Sequence, residues 1–214
     1  MKSWFRIAIE GAALACLLTL PGLALAADAF AADRQALAER LQGTALYTAE
    51  FTQSVFGVRG ELLEQSEGRV WLKRPLFKWL VEEPYPQTLL IDGDSLKLYD
   101  PDLEQLTVRP VAEALKDTPV SLLTSDAVAL SDDFRILRIG DSEGESFVVE
   151  PTSDDTLYRE IVLHFEGGSL SGLDIIDHLG QRTEVRFRPD AGTTAIHDSV
   201  FTLEVPPGTD VIGG

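Results

Sequence analysis

The sequence predicts a mainly β fold: an antiparallel meander with one apolar side, curved into a barrel or half-barrel, with one long and two short helices. Three observations predict it. Apolar and polar residues alternate in many short runs. Turn signals such as Asp92-Gly93 and Gly167-Gly168 separate those runs. Only residues 28–42 carry a helical stripe of any length.

Residues 1–26 read as a targeting segment. Lys2 and Arg6 form a basic start, residues 11–25 an apolar run that is short for a membrane span, and Ala24-Leu25-Ala26 has the small-x-small form of a signal peptidase site. Cleavage after Ala26 is expected to leave residues 27–214 as one domain. Cys16, the one cysteine, lies inside this segment, and Ala13-Leu14-Ala15 before it fits a lipidation motif poorly. A soluble, thiol-free exported chain is therefore expected, with lipid anchoring through Cys16 as the alternative.

In residues 28–42, Phe30, Leu37 and Leu41 recur at spacings of seven and four, Arg34, Glu39 and Arg40 can sit outside, and Gly43 supplies a stop. Residues 47–55 set Tyr47, Ala49, Phe51 and Val55 against Glu50, Thr52 and Ser54. After a turn at 57–60 comes Gly68-Arg69-Val70-Trp71-Leu72-Lys73-Arg74-Pro75-Leu76-Phe77-Lys78-Trp79. Val70 and Leu72 face one way there, and Trp71 and Lys73 the other. Arg74 falls in line with Val70 and Leu72. Pro75 ends or bends the strand, and Phe77, Trp79 and Val81 resume the alternation. Residues 87–91, 96–99 and 105–108 read as strands, and 111–116 and 119–123 as short helices, the second with Pro119 in its first turn. Strands return at 134–139 and 147–150. Ile161, Leu163 and Phe165 then alternate with Val162 and His164, Leu173 and Ile175 follow Gly167-Gly168, and Val185 and Phe187 follow Gly180.

Roughly ten strands present one apolar face, and only three helices can cover it; a small barrel fills itself or holds a ligand. Tyr47, Phe51, Phe77, Trp79 and Tyr99 are inward candidates, as plain core or as a cavity wall. Two readings of Arg74 stand. It snorkels to the rim and is solvated, or it fastens something over an apolar cavity, its five donors meeting acceptors such as the carbonyls of a helix end.

Composition excludes several classes. Losing residues 1–26 removes two basic and one acidic group and takes the net charge from −17 to −18. That argues against nucleic acid and against adhesion to an anionic membrane. Without a thiol, cysteine catalysis and cysteine-ligated zinc are out. His164, His178 and His197 are scattered, and no phosphate loop or dinucleotide fingerprint appears. Strand alternation puts Asp174 and His178 on one face and Asp177 on the other, which reads as a solvated face. Gly168-Ser169-Leu170-Ser171-Gly172 has leucine where a nucleophile elbow needs serine, and reads as a hairpin turn. Asp132-Asp133 and Asp154-Asp155 read as solvated turn pairs. No enzyme, metal or cofactor is expected; a lipid-acting esterase and a self-filled scaffold are the alternatives.

An ordered set of pieces resembles one family. They are Phe51-Thr52-Gln53 after an N-terminal helix, the stretch from Gly68 to Trp79, Asp92-Gly93 with Leu98-Tyr99-Asp100-Pro101 and Glu104-Gln105, Pro119-Val120-Ser121-Leu122-Leu123, and Phe201-Thr202-Leu203-Glu204-Val205-Pro206-Pro207-Gly208-Thr209-Asp210-Val211-Ile212. The set is similar to the periplasmic outer-membrane lipoprotein carrier family, LolA, of Gram-negative bacteria. The resemblance implies an incomplete, unclosed antiparallel β-barrel whose helices form a lid over an apolar cavity. It implies a monomeric periplasmic carrier that takes acylated lipoproteins from an inner-membrane ATP-driven release complex and hands them to an outer-membrane receptor of similar fold. A membrane-anchored receptor of that fold, lipidated at Cys16, is the rival within it. It makes Arg74 the lid latch. It also makes Phe51, Val70, Leu72, Phe77, Trp79, Leu89, Ile91, Tyr99, Leu122 and Leu123 candidates for acyl-chain or partner contact.

Overall fold

A computed structural model describes residues 22–115, 118–124, 133–141, 144–153 and 155–213, with residues 22–30 as backbone only. Residues 1–21 with Cys16, and Lys116, Asp132 and Asp154, lie outside them.

The chain runs α1 (Gly22–Gly43), β1 (Leu46–Phe56), β2 (Leu62–Lys73), β3 (Leu76–Glu83), β4 (Gln87–Ile91), β5 (Ser95–Asp100), β6 (Gln105–Pro110), α2 (Val111–Ala114) and α3 (Val120–Thr124). β7 (Phe134–Gly140), β8 (Gly144–Pro151), β9 (Glu160–Glu166), β10 (Ser169–Ile176) and β11 (Arg182–Pro189) follow, then a 3-10 turn (Asp198–Phe201) and β12 (Asp210–Gly213). α1 begins before residue 28 because Leu23-Ala24-Leu25-Ala26-Ala27 is made of strong helix formers. Ser169 to Gly172, expected as part of a turn, belongs to β10; the turn itself is Gly167-Gly168.

All strands join one sheet in the order β12-β6-β5-β4-β3-β2-β1-β11-β10-β9-β8-β7. Among the described residues the two end strands do not pair, so the barrel is not closed. Every ladder is antiparallel except β12 on β6, which is parallel and which the strand pattern did not announce.

The ladders fix which residues share the inner face, because directly opposed residues point the same way. Tyr47, Leu72, Phe77, Ile91 and Leu96 form one row across β1 to β5. Ala49, Val70, Trp79, Leu89 and Leu98 form the next. Phe51, Gly68, Val81 and Gln87 form a third. A side chain at Gly68 would collide with the Leu80 carbonyl oxygen and would press on the Phe51 ring, which passes over the bare glycine. On the other half of the sheet, Ile136, Val149, Ile161 and Ile175 share a row, as do Phe147, Leu163, Leu173 and Val185. α1 lies against β7 and β10, and α2 against β5 and β6. Leu37 and Leu41 of α1 and Leu122 and Leu123 of α3 join the inner-face residues in one buried cluster. The outer face of β2 to β4 is covered by the C-terminal segment, where Ile196 and Phe201 bury Leu90 beside Leu46, Trp71 and Leu76.

Candidate functional site: an arginine beneath two helix ends

β2 and β3 are joined by a turn of only two residues, Arg74 and Pro75, between the paired ends Lys73 and Leu76. Alternation sends Lys73 and Leu76 outward and leaves Arg74 on the apolar side. The guanidinium is not left in water. Nη2 donates to the carbonyl of Leu41 at 3.0 Å and to that of Leu123 at 2.9 Å, and Nε donates to Leu123 at 3.2 Å. Both acceptors sit in the last turns of their helices, where carbonyls lack partners within the helix and a cation is favoured. One side chain from the hairpin thus holds the ends of α1 and α3 together. Arg74 is bonded to helix ends and not solvated at the rim, and what lies beneath it is a packed apolar cluster.

Beneath it, Leu37, Leu41, Leu122 and Leu123 pack with Val70, Leu72, Phe77 and Ile91, all buried. Phe77 is 1% exposed, so in this state it faces the interior and no partner. Further along the same face, Phe51 stacks on Trp79 with ring centroids 3.9 Å apart, and Phe77 and Phe187 flank the indole at 6.3 and 6.1 Å. Trp79, Leu89 and Leu96 are only half-buried. The face continues into a cleft of about 310 Å³ lined by Gln53, Ser66, Val81, Gln87 and Asp100, at the end away from Arg74. Tyr47 donates to the Leu170 carbonyl at 2.7 Å. Burial first, and then the charge of Asp190, pushes its phenol well above the usual range, so it stays neutral.

Nine of the ten apolar candidates come together here. Tyr99 does not. It opposes Thr88 and Leu106, one residue out of phase with Leu98, and so lies on the outer face.

The sequence also offered Arg34 and Arg40 as outward residues, and the structure corrects both. Arg34 Nη2 donates to the Phe134 carbonyl at 3.2 Å, and Asp33 Oδ2 accepts from the backbone N–H of Arg138 at 3.0 Å. Arg40 pairs with Glu145, whose other oxygen lies 2.6 Å from Nη2 of Arg138. Glu145 is 3% exposed and shares the inner face with Phe147 and Val149. These contacts stitch α1 to the edge strand β7 and to β8 beside it. The signal for Glu145 was its phase, two residues before Phe147, the same signal that singled out Arg74.

Asp174 does not meet His178, which bonds the Thr156 carbonyl at 2.9 Å. On the outer face, Asp174 is 3.1 Å from His164 Nε2 and accepts from Arg186 at 2.5 Å, and His164 Nδ1 is 2.8 Å from Ser146 Oγ. Burial would raise the Asp174 carboxyl, but the bonds from His164 and Arg186 outweigh it and hold it below the usual carboxylate range. Ser146 and His164 are a directly opposed cross-strand pair, and Arg186 shares the carboxylate, so the chain of bonds ties β8 to β11. Among the described residues no group of three or more His, Cys, Asp or Glu side chains could hold a metal ion, and no helix is long and apolar enough to cross a membrane.

The family model "Outer membrane lipoprotein carrier protein LolA" matches residues 42–204. An outer-membrane lipoprotein carrier protein of Chromohalobacter salexigens is 41% identical over 202 residues, 94% of this chain and 94% of the relative. One of Pseudomonas aeruginosa is 36% identical over 200 residues, 91% of this chain and 96% of the relative. A solved structure of an uncharacterized conserved protein from Thermus thermophilus superposes with a TM-score of 0.52 at 14% identity, covering 83% of this chain and 97% of that one, a likeness of fold alone. Matched by the family model along most of its length, and by relatives above a third identical over nearly their whole length, the chain belongs to the LolA family of outer-membrane lipoprotein carrier proteins.

Proposed function

We propose that the protein is a periplasmic carrier, not an enzyme, that shields the acyl chains of outer-membrane lipoproteins on its inner face beneath a lid that Arg74 keeps shut when empty. The observation that carries this is the single guanidinium bonded to carbonyls of two helices above an apolar cluster. An acyl chain in water costs about 0.8 kcal/mol per methylene, so a multiply acylated cargo needs cover to cross an aqueous compartment. Bonds from a charged donor contribute roughly 1.5–3 kcal/mol each, less at a half-exposed site. Opening the lid therefore costs a few kcal/mol, and burying on the order of five methylenes offsets it. Leu122 and Leu123 fill in the empty state the space that an acyl chain takes in the loaded one. Two states so nearly balanced are what reversible loading requires.

The full route runs from an inner-membrane ATP-driven release complex to an outer-membrane receptor, with the carrier itself monomeric. Export with cleavage after Ala26 places the first residues of the mature chain in α1. Arg74→Leu tests the reading. The variant is expected to accept an acylated lipoprotein and to pass it poorly to the receptor, because the empty closed state no longer draws the lid shut. Transfer at the normal rate would remove Arg74 from the mechanism.

A further inference from the structure

The hairpin that carries Arg74 is held from both sides, and the outer hold is independent of the lid. The C-terminal segment leaves β11 at Asp190, which accepts from Thr48 Oγ1 at 2.5 Å and from Arg69 Nη2 at 3.1 Å. It crosses the outside of the sheet and ends paired to β6 as β12. Between those anchors it clasps the latch hairpin. Lys78 Nζ donates to the carbonyls of Val200 at 3.0 Å and Thr202 at 3.2 Å, beside the Trp71 ring. Burial lowers the Lys78 pKa. Phe201 and Ile196 pack with Leu76 and Leu90, and Lys73 pairs with Asp198 at 2.5 Å. Lys73 and Leu76 are the residues on either side of the Arg74-Pro75 turn, so the strap grips the hairpin at its tip.

We propose, resting on the latch reading above, that this strap is a positioning element for Arg74, with Lys78 and Phe201 as its working residues. The latch needs one guanidinium within hydrogen-bond reach of two helices at once, and such bonds weaken steeply with displacement and tilt. The contact with α3 cannot set that position, because α3 is the part of the lid that must leave. The strap stays and keeps the hairpin in place for re-closure. Lys78→Met keeps the length of the side chain and removes the two bonds to the strap.

The test reads lid opening without cargo. A cysteine replacing Leu122, buried under the closed lid, is introduced in a Cys16→Ser background, and its rate of reaction with a thiol reagent reports the open population. Arg74→Leu is expected to raise that rate. Lys78→Met is expected to raise it about tenfold, the factor for one Arg74 bond lost as the hairpin shifts, with Phe201→Leu moving it in the same direction. Combining Lys78→Met with Arg74→Leu is expected to add nothing to Arg74→Leu alone, since both act through one contact. Equal multiplication of the rate by Lys78→Met in both backgrounds assigns the strap to general stability and overturns the proposal. An unchanged rate in Lys78→Met and Phe201→Leu overturns it too, while Arg74→Leu still responds. If Arg74→Leu itself leaves the rate unchanged, the latch reading is what fails.

Discussion

The two halves of the inner face are built from similar residues and held in different ways. On the β7 to β10 side, Phe147, Val149, Ile161 and Leu163 are fully buried, and α1 is fixed over them by Arg34, Asp33 and the Arg40–Glu145–Arg138 group. On the β2 to β5 side, Val70, Leu72, Phe77 and Ile91 are buried too, but Trp79, Val81, Leu89 and Leu96 are only half-buried, and the cover is held by Arg74 on neutral carbonyls. The difference lies in what each leaves behind on opening. Lifting α1 would break the Arg40 pair of a buried carboxylate and leave Glu145 with Arg138 alone, which is costly. Lifting α3 returns carbonyls and a cation to water, which solvates both. On the proposed lid reading, the same sheet carries a permanent core on one side and a surface that cargo uncovers on the other.

The sharpest way to break that contrast is to truncate a ring on each side. Phe147→Ala is expected to lose about 3–5 kcal/mol in urea unfolding, and Trp79→Ala roughly half that. Trp79→Ala is further expected to lose affinity for acylated cargo, measured by co-purification. Equal losses of stability would mean the two interiors are alike. Next in size, Arg40→Ala leaves Glu145 with Arg138 alone. The expected cost is roughly 2 kcal/mol, below that of breaking a fully buried pair, with cargo transfer preserved. Arg74→Leu is expected to cost roughly 1.5 kcal/mol of global stability by the same unfolding measurement, despite its defect in transfer.

The smallest effect concerns pH. At the β4–β5 turn, burial would raise the Asp92 carboxyl, but bonds from Lys97 and Ser95 outweigh it and bring it from 3.8 to about 2. A carboxyl depressed on folding stabilises above its unfolded value, and that contribution is lost as pH falls from about 4 towards 2. The urea midpoint of Asp92→Asn is expected to fall less than that of the native protein across this window.

The lid side was the more legible half. Arg74 stood out because its phase set a cation on an apolar face, and Val70, Leu72 and Phe77 followed from the same alternation. Glu145 carries the same kind of signal, but the apolar alternation of its strand begins only at Phe147. Its partner Arg40 lies 105 residues away in sequence, beyond any local pattern. Tyr99 was misplaced because Leu96-Lys97-Leu98-Tyr99 offers apolar residues in both phases, and a slip of one residue reverses the face. β12 escaped notice because its partner β6 is parallel and remote, so no turn links the two. The membership of the family came from ordered motifs. The stitching of α1 came only from the folded chain.

The central claim of the proposed lid is that loading separates α3 from α1. The most direct measurement is the distance between spin labels at Gln35 on α1 and Ser121 on α3, taken with the carrier empty and with an acylated lipoprotein bound. The account predicts a short, narrow distribution when empty and a longer one when loaded. An identical distribution in both states would contradict it.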